Sequence, residues 1–412
     1  MMPLPISDRW RRGQVKNVAD VKLGKMLQSD DTGDDVQADY MRAANVQPDG
    51  ALRLQPKQMW FKPSELEGLS LKRGDVVVVE GGVGGFGRAA YLPNDLDGWG
   101  FQNSINRIRP TAATDGRFLA YYLIALRASG FIERYCNIVS MPHLTAEKLA
   151  ALPVPVPDRS DQCAIADFLD RETARIDTLI AEQQLFVGLL RERRQAVIDS
   201  TVSVVKAEPV QLRRVIELVT SGSRGWGDYY SDAGVRFLRI GNLPRTDLAI
   251  RGEVQLVDLP PDVTEGERTR LVVGDVLFSI TAYLGSVAVV DDAWEGGYVS
   301  QHVALCRLDP LRANSRFVGW VMLTTDGQDQ LRQGAAGGTK QQLGLDDIRE
   351  LRVPLPLLDE QHRIVAFLDE QTSKIDTLIA ETKVFIELSR ERRTALITAA
   401  VTGQIDVRNE VA

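Results

Sequence analysis

The sequence has few of the residues that build metal sites and disulfide frameworks. Its 412 residues include 3 cysteines and 3 histidines. These lie far apart in the chain, at Cys136, Cys163, Cys306, His143, His302 and His362. No two of them have the spacing of roughly two to four residues that zinc ligands show. We therefore expect no structural metal, no disulfide framework and a reducing compartment.

Long apolar runs are also missing. No stretch approaches the ~20 consecutive apolar residues that a membrane-spanning helix needs. Hydrophobic residues make up 44% of the chain and charged residues 25%, which is ordinary for a soluble globular protein. The opening segment "MMPLPISDRWRRGQVKN" has no apolar core after its charges, so it predicts neither a secretory signal nor a transit peptide. We expect a soluble, cytoplasmic protein with no membrane partner.

An excess of positive charge, the usual mark of a nucleic-acid-binding protein, is missing as well. The formal net charge is −7 and the sequence pI is near 5.3. Because Lys and Arg supply the affinity for phosphates, this composition counts against a nucleic-acid partner. Net charge averages over all faces, however, so it does not exclude a basic surface on one of them.

Catalytic motifs are not recognisable either. The chain has no "NPPY"-like methyltransferase motif and no "HExxH" motif, and neither His302 nor His362 has a nucleophile or base beside it. The glycine run "EGGVGGFGR" (80–88) follows a Val-rich segment, but a dinucleotide loop needs a helix directly afterwards and a P-loop needs Lys-Ser/Thr. Here "RAAYLPND" follows, which favours a hairpin turn with a returning strand over a phosphate-binding loop.

The chain does contain one long segment twice. "IDTLIAE" occurs at 176–182 and again at 375–381, and "RERR" follows each copy, at 191–194 and 390–393. A shift of 199 residues, which places Gln162 on Gln361, makes about half of the positions in the two segments identical. A period of half the chain predicts two copies of one globular unit, each followed by a helix, rather than a solenoid.

Each repeated segment predicts a long amphipathic helix that follows a Pro-rich lead. Apolar residues alternate at spacings of four and three, as in a coiled-coil seam. The predicted seam consists of Ile165, Leu169, Ile176, Leu179, Phe186 and Leu190, and in the second copy Ile364, Leu368, Ile375, Leu378 and Phe385. About 40 residues span roughly 60 Å. We expect the two helices to pair antiparallel around a pseudo-twofold axis; alternatively, each helix only covers its neighbouring unit.

The two globular units share a skeleton although their sequences differ. "YMRAANV" (40–46) corresponds to "FLRIGNL" (237–243), and Val76–Val79 and Val276–Ile280 predict buried strands after Gly-Asp turns. "GRFLAYYLIALRASGFIERY" predicts a helix. The sequence thus predicts an α+β protein with two mixed α/β units in tandem repeat. The predicted domains are 1–157, the helix 158–206, 207–356, and the helix and tail 357–412.

The combination of "P-x-P", "Q..I..FLD", "IDTLIAE" and "RERR" after a variable unit resembles the specificity subunit of type I restriction-modification enzymes. The resemblance covers essentially the whole chain and includes "GAAGGTKQQLGLDDIRELRVPLP" (334–356), which is similar to the segment that closes a target-recognition domain in that family. The first unit departs from this pattern, because it has "NIVSMPHLTAEKLAALPVP" at the corresponding place.

The resemblance implies a DNA-recognition subunit without catalytic activity, in a system of DNA methylation and phage defence. Each unit would recognise one half of an asymmetric, bipartite site in double-stranded DNA. The helix pair would set the spacing and dock two methyltransferase subunits, and motor-nuclease subunits would join the full complex. This chain would bind no cofactor, since S-adenosylmethionine, ATP and Mg²⁺ would be bound by the partner subunits.

Polar residues at corresponding loop positions are the candidates for DNA contact, because Arg, Asn and Gln form bidentate contacts with base edges. They are Arg42, Asn45, Gln102, Asn103, Arg239, Asn242, Gln301, His302, Thr339, Lys340 and Gln341. The alternative for each is a structural role, such as an Asn in a turn. The candidates for partner docking are Arg191, Arg193, Arg194, Arg390, Arg392 and Arg393. Their alternative is a solvated helix face.

Two other classes of function remain open at this point. One is a coiled-coil scaffold with two protein-binding lobes, which a DNA-binding assay with the partner present would distinguish. The other is a fused nuclease or methyltransferase that uses the glycine run, which binding of S-adenosylmethionine or ATP by the isolated chain would distinguish.

Overall fold

The computed structural model describes residues 4–82, 85–136, 143–260, 263, 265–334 and 342–407. Contacts within the chain divide it into two compact units. Unit 1 contains Met1–Gln183 and Val384–Ala412, and unit 2 contains Gln184–Lys383. The predicted α+β class is confirmed. The four-part division drawn from the sequence stays a prediction.

Unit 1 is built on one central sheet and two smaller ones. Its strands are β1 Arg11–Gln14, β2 Ala19–Leu23, β3 Val36–Met41, β4 Gln58–Phe61, β5 Val76–Val79, β6 Ala89–Tyr91, β7 Gly100–Phe101, β8 Ile105–Pro110 and β9 Pro153–Val156. Its shorter helices are α1 Val15–Val18, α2 Pro63–Gly68, α3 Gly116–Ala128, α4 Phe131–Cys136 and α5 Ala146–Ala150. The sheets have the orders β2-β8-β5-β6, β4-β3-β7 and β1-β9.

The central sheet of unit 1 is buried on both faces. Its strand β5 consists of four consecutive valines, which suit a strand without a solvent-facing side. Side chains alternate across a strand, so Val76 and Val78 face one side while Val77 and Val79 face the other. The first pair joins the core beneath α3, and the second pair joins the core shared with β3, β4 and β7. All four valines are fully buried, as a strand between two apolar layers requires.

The helix α6 (Arg159–Ser203) follows β9 and belongs to unit 1 up to Gln183. Unit 2 then contains the strands β10 Pro209–Gln211, β11 Ile216–Ser221, β12 Tyr230–Ser231, β13 Val235–Leu238, β14 Gln255–Val257, β15 Val276–Ser279, β16 Val287–Val289, β17 Tyr298–Val299, β18 Val303–Leu308 and β19 Arg352–Pro354. Its helices are α7 Ser315–Met322, α8 Thr325–Gly334, α9 Leu345–Glu350 and the first part of α10 Leu358–Val401.

The sheets of unit 2 have the same strand orders as those of unit 1, with one additional strand. Their orders are β11-β18-β15-β16, β12-β14-β13-β17 and β10-β19, so that β12 is the added strand. The strand predicted at 76–79 is confirmed, and the strand predicted at 276–280 is confirmed as β15, which ends one residue earlier. β5 and β15 each pair antiparallel with the strand that follows them. The hairpin predicted for the glycine run is therefore confirmed as well.

The Gly-Asp turn before each of these strands holds a buried ion pair. Asp75 accepts two hydrogen bonds from Arg109, at 2.8 and 2.7 Å, and Asp275 accepts two from Arg307, both at 2.8 Å. Both carboxylates are buried. The hydrogen bonds to Asp75 raise the pKa of Arg109 above its ordinary value, and those to Asp275 do the same for Arg307. Each arginine therefore stays charged and fixes β8 or β18 to the turn.

A buried glutamine anchors the first turn of each long helix. The side-chain oxygen of Gln162 accepts the N–H of Asp115 at 2.9 Å, and its amide donates to the carbonyl of Pro157 at 2.9 Å. Gln361 makes the same bonds with Asn314 and Pro356, both at 2.8 Å. The "P-x-P…Q" pattern therefore joins the Pro-rich edge strand, the following helix and the start of α3 or α7.

Within each unit, the two long helices run antiparallel. In unit 1, Ile165 and Leu169 of α6 share a core with Ile397 and Val401 of α10. In unit 2, Ile198 of α6 shares a core with Val365 and Leu368 of α10. The predicted antiparallel pairing is confirmed in this sense. The alternative also holds in part, because these same residues cover the sheet and helices of their own unit.

The buried stripe of each long helix does not follow the predicted alternation. It recurs every eleven residues, at Ile165, Ile176, Val187 and Ile198 in α6 and at Ile375, Ile386 and Ile397 in α10, where the half-buried Ile364 begins the series. Eleven residues in three turns give about 3.67 residues per turn, close to the 3.6 of a straight helix, whereas a seven-residue pattern gives 3.5. The predicted seam therefore drifts off the buried face.

Three predicted seam residues are exposed because the seam leaves the buried face toward the C-terminal part of each helix. Phe186 is 43% exposed, and Leu378 and Phe385 are each 44% exposed. Leu179 and Ile364 are half-buried, whereas Ile165, Leu169, Ile176, Leu190, Leu368 and Ile375 are buried as predicted. Thr382 and Ser389, which are not among the predicted seam residues, lie on the buried face.

The predicted helix 116–135 is two helices, α3 and α4. Gly130 stands between them with φ of +71°, a conformation that ends a helix and that glycine adopts without strain. Phe131 and Tyr135 of α4 stack with their ring centroids 5.4 Å apart. The sequence signal for the break is "SG", which we expect at a helix C-terminus rather than within a helix.

Candidate nucleic-acid interface

The first candidate surface in unit 1 is the short 3-10 turn Ala43–Asn45 that follows β3. The side-chain oxygen of Asn45 accepts the backbone N–H of Arg42 at 2.9 Å, and its amide donates to the carbonyl of Arg53 at 2.8 Å. Asn45 is buried. Its polar atoms are thus used to close the turn and to hold the next loop, while the half-buried Arg42 lies at its start.

Unit 2 repeats this arrangement after β13. Asn242 accepts the N–H of Arg239 at 2.9 Å and donates to the carbonyls of Arg251 and Glu253, both at 2.9 Å. Asn242 is buried too. A base contact by Asn45 or Asn242 does not fit this geometry, because the amide has no exposed donor or acceptor to offer. The contacts of these two residues are those of the structural alternative, and a role in DNA binding stays a prediction.

The second candidate surface lies directly beside the first. After β7, the N–H of Gln102 donates to the carbonyl of Met41 at 2.9 Å, and the hydroxyl of Ser104 accepts the N–H of Ala43 at 3.3 Å. The fold therefore brings Arg42 together with Gln102 and Asn103, which are sixty residues apart in the chain. Gln102 and Asn103 are half-buried, so part of each side chain faces solvent.

In unit 2 the corresponding turn is offset by one residue from the predicted alignment. The N–H of Ser300, not of Gln301, donates to the carbonyl of Leu238 at 2.9 Å, so Ser300 corresponds to Gln102. By the same register Gln301 corresponds to Asn103, and His302 to Ser104. The Nε2 atoms of Gln301 and His302 lie 3.1 Å apart, and Nδ1 of His302 lies 3.1 Å from the hydroxyl of Thr281.

Two glycines allow the chain to pass these turns closely, and sequence analysis missed both. A Cβ on Gly24 would lie 2.2 Å from the carbonyl oxygen of Gln102, and one on Gly222 would lie 2.0 Å from that of Val299. No other residue fits at such distances. The available signal was a shared glycine at the end of β2 and β11, in "KLGK" and "VTSGS".

The other candidates for DNA contact are placed as follows. Arg239 is half-buried, and its guanidinium lies 3.5 Å from the carboxylate of Glu253. Thr339, Lys340 and Gln341 lie outside the described residues. The roles of these residues in binding stay predictions.

The last arginine of the first "RERR" is buried and makes contacts within unit 2. Arg194 is buried and donates from Nε and Nη2 to the carboxylate of Asp376, at 2.9 and 3.2 Å. It also donates to the carbonyl of Thr246, in the loop that follows the Arg239–Asn242 turn. Asp376 is the aspartate of the second "IDTLIAE".

Arg393, the last arginine of the second "RERR", repeats these contacts within unit 1. Its Nε lies 2.9 Å from the carboxylate of Asp177, the aspartate of the first "IDTLIAE". Its Nη2 donates to the carbonyl of Asp49 at 3.1 Å, in the loop after the Arg42–Asn45 turn. Arg194 and Arg393 thus make structural contacts within their own units, and a role for them in partner docking stays a prediction. The two phrases are repeated together because each "RERR" pairs with the "IDTLIAE" of the other copy.

The remaining "RERR" arginines lie on the exposed side of the long helices. Arg191, Arg193 and Arg392 are exposed, and Arg390 pairs with Glu387 three residues earlier at 2.5 Å. Their role in docking stays a prediction, and a solvated helix face accounts equally well for their positions.

Large apolar side chains are exposed near these arginines, in two sets. The set in unit 2 is Leu185, Phe186 and Leu189, and the set in unit 1 is Val384, Phe385 and Leu388. We name them the unit 2 apolar patch and the unit 1 apolar patch. A shift of 199 residues superimposes the two sets in sequence. Exposed apolar residues grouped in this way mark surfaces for protein interaction.

The described residues contain neither a cluster of metal ligands nor a membrane-spanning helix. No group of three or more His, Cys, Asp or Glu side chains there is placed to hold a metal ion. In the same part of the chain, no helix has both the length and the apolar character to cross a membrane.

The family model for the "Type I restriction modification DNA specificity domain" matches residues 7–185 and 266–388, most of the chain. This chain belongs to that family. It is a type I specificity subunit, and the two matches correspond to two DNA-recognition domains, one beginning in each unit. The resemblance drawn from the repeated helices is therefore confirmed.

Two known proteins similar to this chain are also specificity subunits of type I restriction enzymes. A type I restriction enzyme specificity subunit from Haemophilus influenzae is 24% identical over 307 residues, which is 70% of this chain and 73% of the relative. The EcoBI specificity subunit from Escherichia coli is 22% identical over 317 residues, which is 69% of this chain and 64% of the relative.

Solved structures confirm the fold of the specificity subunit. A chain from a type I R-M system, in a study of complex assembly and conformational transition, has a TM-score of 0.76 at 17% identity and covers 97% of this chain and 99% of that one. The HsdS subunit from Thermoanaerobacter tengcongensis has a TM-score of 0.57 at 18% identity and covers 97% and 98%.

Because the side chain of Asn242 is buried and fully hydrogen-bonded in the specificity subunit, its removal should lower the stability of unit 2. Asn242→Ala is expected to destabilise unit 2 by about 2–3 kcal/mol, since it leaves the N–H of Arg239 and two carbonyls without partners. Hydrogen exchange across residues 239–253 measures the loss. Gly241→Ala is the matched control, because a Cβ at Gly241 meets nothing within 4 Å. An Asn242→Ala chain of unchanged stability with altered base preference would instead restore the base-contact interpretation.

Proposed function

We propose that each unit of this specificity subunit binds one half of an asymmetric, bipartite site in double-stranded DNA. The observation that carries the proposal is the repeated pair of adjacent turns on a shared sheet framework. The framework is the same in both units, while the side chains at matching turn positions differ: Gln102, Asn103 and Ser104 in unit 1 against Ser300, Gln301 and His302 in unit 2. Different side chains on one scaffold fit two different half-sites.

The helix pair, in this proposal, docks two methyltransferase subunits through the apolar patches. Two patches with nearly the same residues fit two copies of one partner. Exposed Arg191 and Arg193 on α6, and Arg390 and Arg392 on α10, provide a charged rim beside them. The proposed docking surface therefore consists of the apolar residues, with the exposed arginines at its edge, rather than of the arginines alone.

The chemistry belongs to the partner subunits. Methyl transfer with S-adenosylmethionine is assigned to the methyltransferase subunits, and ATP hydrolysis and cleavage with Mg²⁺ to motor-nuclease subunits that join the full complex. The specificity subunit itself is proposed to be non-catalytic, without a bound cofactor, and to act in the cytoplasm. Membership of the specificity family and the resemblance of the repeated helices support these assignments.

Methylome sequencing tests the proposed function. A methylation-free host would express this chain together with its cognate methyltransferase, and a second culture would express the methyltransferase alone. We expect a bipartite, asymmetric methyl-adenine motif in the first culture only. If both proteins are soluble and associated but no such motif forms, the chain is a protein-binding scaffold rather than a DNA-recognition subunit.

A further inference from the structure

The tip of the β15–β16 hairpin in unit 2 carries an exposed tyrosine in an unusual backbone conformation. Tyr283 has φ of +59° and is 55% exposed. Among the described residues, Asp34 is the other non-glycine residue with positive φ. A bulky side chain in the left-handed region is uncommon, and such conformations concentrate at functional sites.

Hydrogen bonds fix this conformation of Tyr283. Its carbonyl accepts the hydroxyl of Ser279 at 2.6 Å and the N–H of Ser286 at 3.1 Å. The backbone of the tip is thus held at the base of the hairpin, while the phenol ring projects beyond it into solvent. The ring is presented on a rigid support, as a contact with a partner molecule requires.

Arg245 lies over the ring, with its guanidinium carbon 4.8 Å from the ring centroid. The two side chains line an open cleft of about 770 Å³ together with Thr281, Arg332 and Gln342. Arg332 also contacts Asp329 at 3.3 Å. The cleft combines an aromatic face, guanidinium groups and neutral hydrogen-bonding groups, which is the chemistry of a DNA-contacting surface.

One contact joins this cleft to the surface that the proposed function assigns to DNA, and a second joins it to α6. Thr281 lies 3.1 Å from His302 in the second turn. The carbonyl of Thr246, the residue after Arg245, is held by Arg194 of α6. Tyr283 and Arg245 therefore lie on the same side of unit 2 as the Ser300–His302 turn. The Thr281–His302 contact fixes the hairpin, and the bond from Arg194 fixes the loop that carries Arg245.

Unit 1 has no equivalent of this pair in its sequence. The loop position that corresponds to Arg245 is Pro48, since the carbonyls of Asp49 and Thr246 accept the equivalent arginine bonds. The hairpin that corresponds to the Tyr283 tip has the glycine-rich sequence "EGGVGGFGR". The pair thus belongs to unit 2 alone, as expected of a contact that distinguishes one half-site from the other.

We propose that Tyr283 contacts a base edge, and Arg245 a phosphate, in the DNA half-site that unit 2 recognises; this rests on the proposed function. The major groove admits a two-stranded β-ribbon, so the hairpin tip brings the ring to the base edges. There the phenol offers an apolar edge and a hydroxyl that donates or accepts. The guanidinium over the ring neutralises a phosphate and adds to affinity without regard to sequence.

The test uses the complex of this chain with its cognate methyltransferase. Tyr283→Gly removes the ring and leaves a residue that favours the observed backbone, so the melting temperature of the chain is expected not to fall. The methylome of this variant should lose discrimination at one or two positions of one half-site. Binding to the cognate duplex should weaken about 10-fold, in line with the loss of one base contact.

Arg245→Ala separates the two roles. We expect weaker binding to cognate and unrelated duplexes alike, with an unchanged methylation motif and a slope of log Kd against log salt that falls by about one. His302→Ala should affect the same half-site as Tyr283→Gly, whereas Asn103→Ala in unit 1 should affect the other half-site.

The outcomes separate this inference from the proposed function. A wild-type complex without any bipartite motif overturns both. A wild-type motif that Tyr283→Gly leaves intact, with unchanged affinity, overturns this inference alone. So does a Tyr283→Gly variant that alters the half-site affected by Asn103→Ala, because the ring would then not serve the half-site of unit 2.

Discussion

Replacing Arg194 with alanine is expected to lower the local free energy of unfolding of unit 2 by about 2–3 kcal/mol. The Arg194 side chain is 8% exposed and joins three parts of the unit: Asp376 of α10, the carbonyl of Thr246 and the ring of Trp320 at 5.8 Å. Removal leaves a cavity and a carbonyl without its donor. Asp376 is 47% exposed and regains water, which keeps the loss below that of a fully buried pair.

Hydrogen exchange of the full chain measures this effect. Amides in residues 243–250 should exchange about 30- to 100-fold faster in Arg194→Ala, since 1.4 kcal/mol corresponds to roughly a factor of ten. Arg193→Ala is the matched control: it removes an arginine one position away that is exposed, and its effect should stay within about 0.5 kcal/mol.

A double-mutant cycle with Asp376→Ala tests whether the pair itself carries the effect. We expect a coupling energy of about 1–2 kcal/mol between the two substitutions. The same cycle on Arg393 and Asp177 should give a similar coupling in unit 1, because the contacts are repeated there. Strictly additive effects in both cycles would show that the repeated phrases are not explained by this pair.

Loss of the Arg194 contact should also weaken recognition of the unit 2 half-site. The loop that it holds at Thr246 carries Arg245 and follows the Arg239–Asn242 turn. We expect lower affinity for the cognate duplex from Arg194→Ala, with no change in discrimination at the half-site of unit 1. Arg393→Ala should show the reverse pattern, since it holds the carbonyl of Asp49.

Introducing a charge into an apolar patch should remove one methyltransferase subunit from the complex. Phe186→Asp replaces a half-exposed ring by a carboxylate that docking would have to desolvate. Loss of the apolar contact and burial of the charge together are expected to cost more than about 3 kcal/mol of binding, or over 100-fold in Kd. Because Phe186 is exposed in the free chain, folding should be little affected.

The repeat supplies the internal comparison for this prediction. Phe186→Asp and Phe385→Asp should each reduce the methyltransferase content from two subunits to one, and the double variant should reduce it to none. Native mass spectrometry of the purified complex counts the subunits directly. Leu311→Asp is the matched control, because Leu311 is 82% exposed and lies outside both patches. Retention of two methyltransferase subunits by the double variant would contradict docking at the apolar patches.

The sequence by itself determined the duplication, the two long helices and the α+β class. These follow from local and periodic properties: a repeated segment of nearly fifty residues, apolar residues on one helical face, and valine runs after Gly-Asp turns. Such signals depend on residues close together in the chain, so "VVVV" after Gly-Asp already predicts β5. The family resemblance rests on the same repeated segments.

Only the tertiary structure decided which polar residues face solvent and which are used internally. Asn45 and Arg42 stand in one turn, yet the side chain of Asn45 bonds the N–H of Arg42 and the carbonyl of Arg53. Sequence spacing does not reveal these partners. The correspondence of Gln102 with Ser300, rather than with Gln301, depends on backbone pairing with β3 and β13. The predicted stripe has a period of seven residues, whereas the observed buried stripe has a period of eleven. The difference depends on how straight the helices are when they pack.

The pairing of "RERR" with "IDTLIAE" shows the physical reason most clearly. Within one copy the two phrases are nine residues apart on a single helix, and nothing in that spacing brings Arg194 near Asp376. An antiparallel partner helix does so, and it pairs Arg194, whose side chain is 8% exposed, with Asp376, which stays 47% exposed. Long-range packing sets the dielectric environment and the partners of each charge, and a linear sequence contains neither.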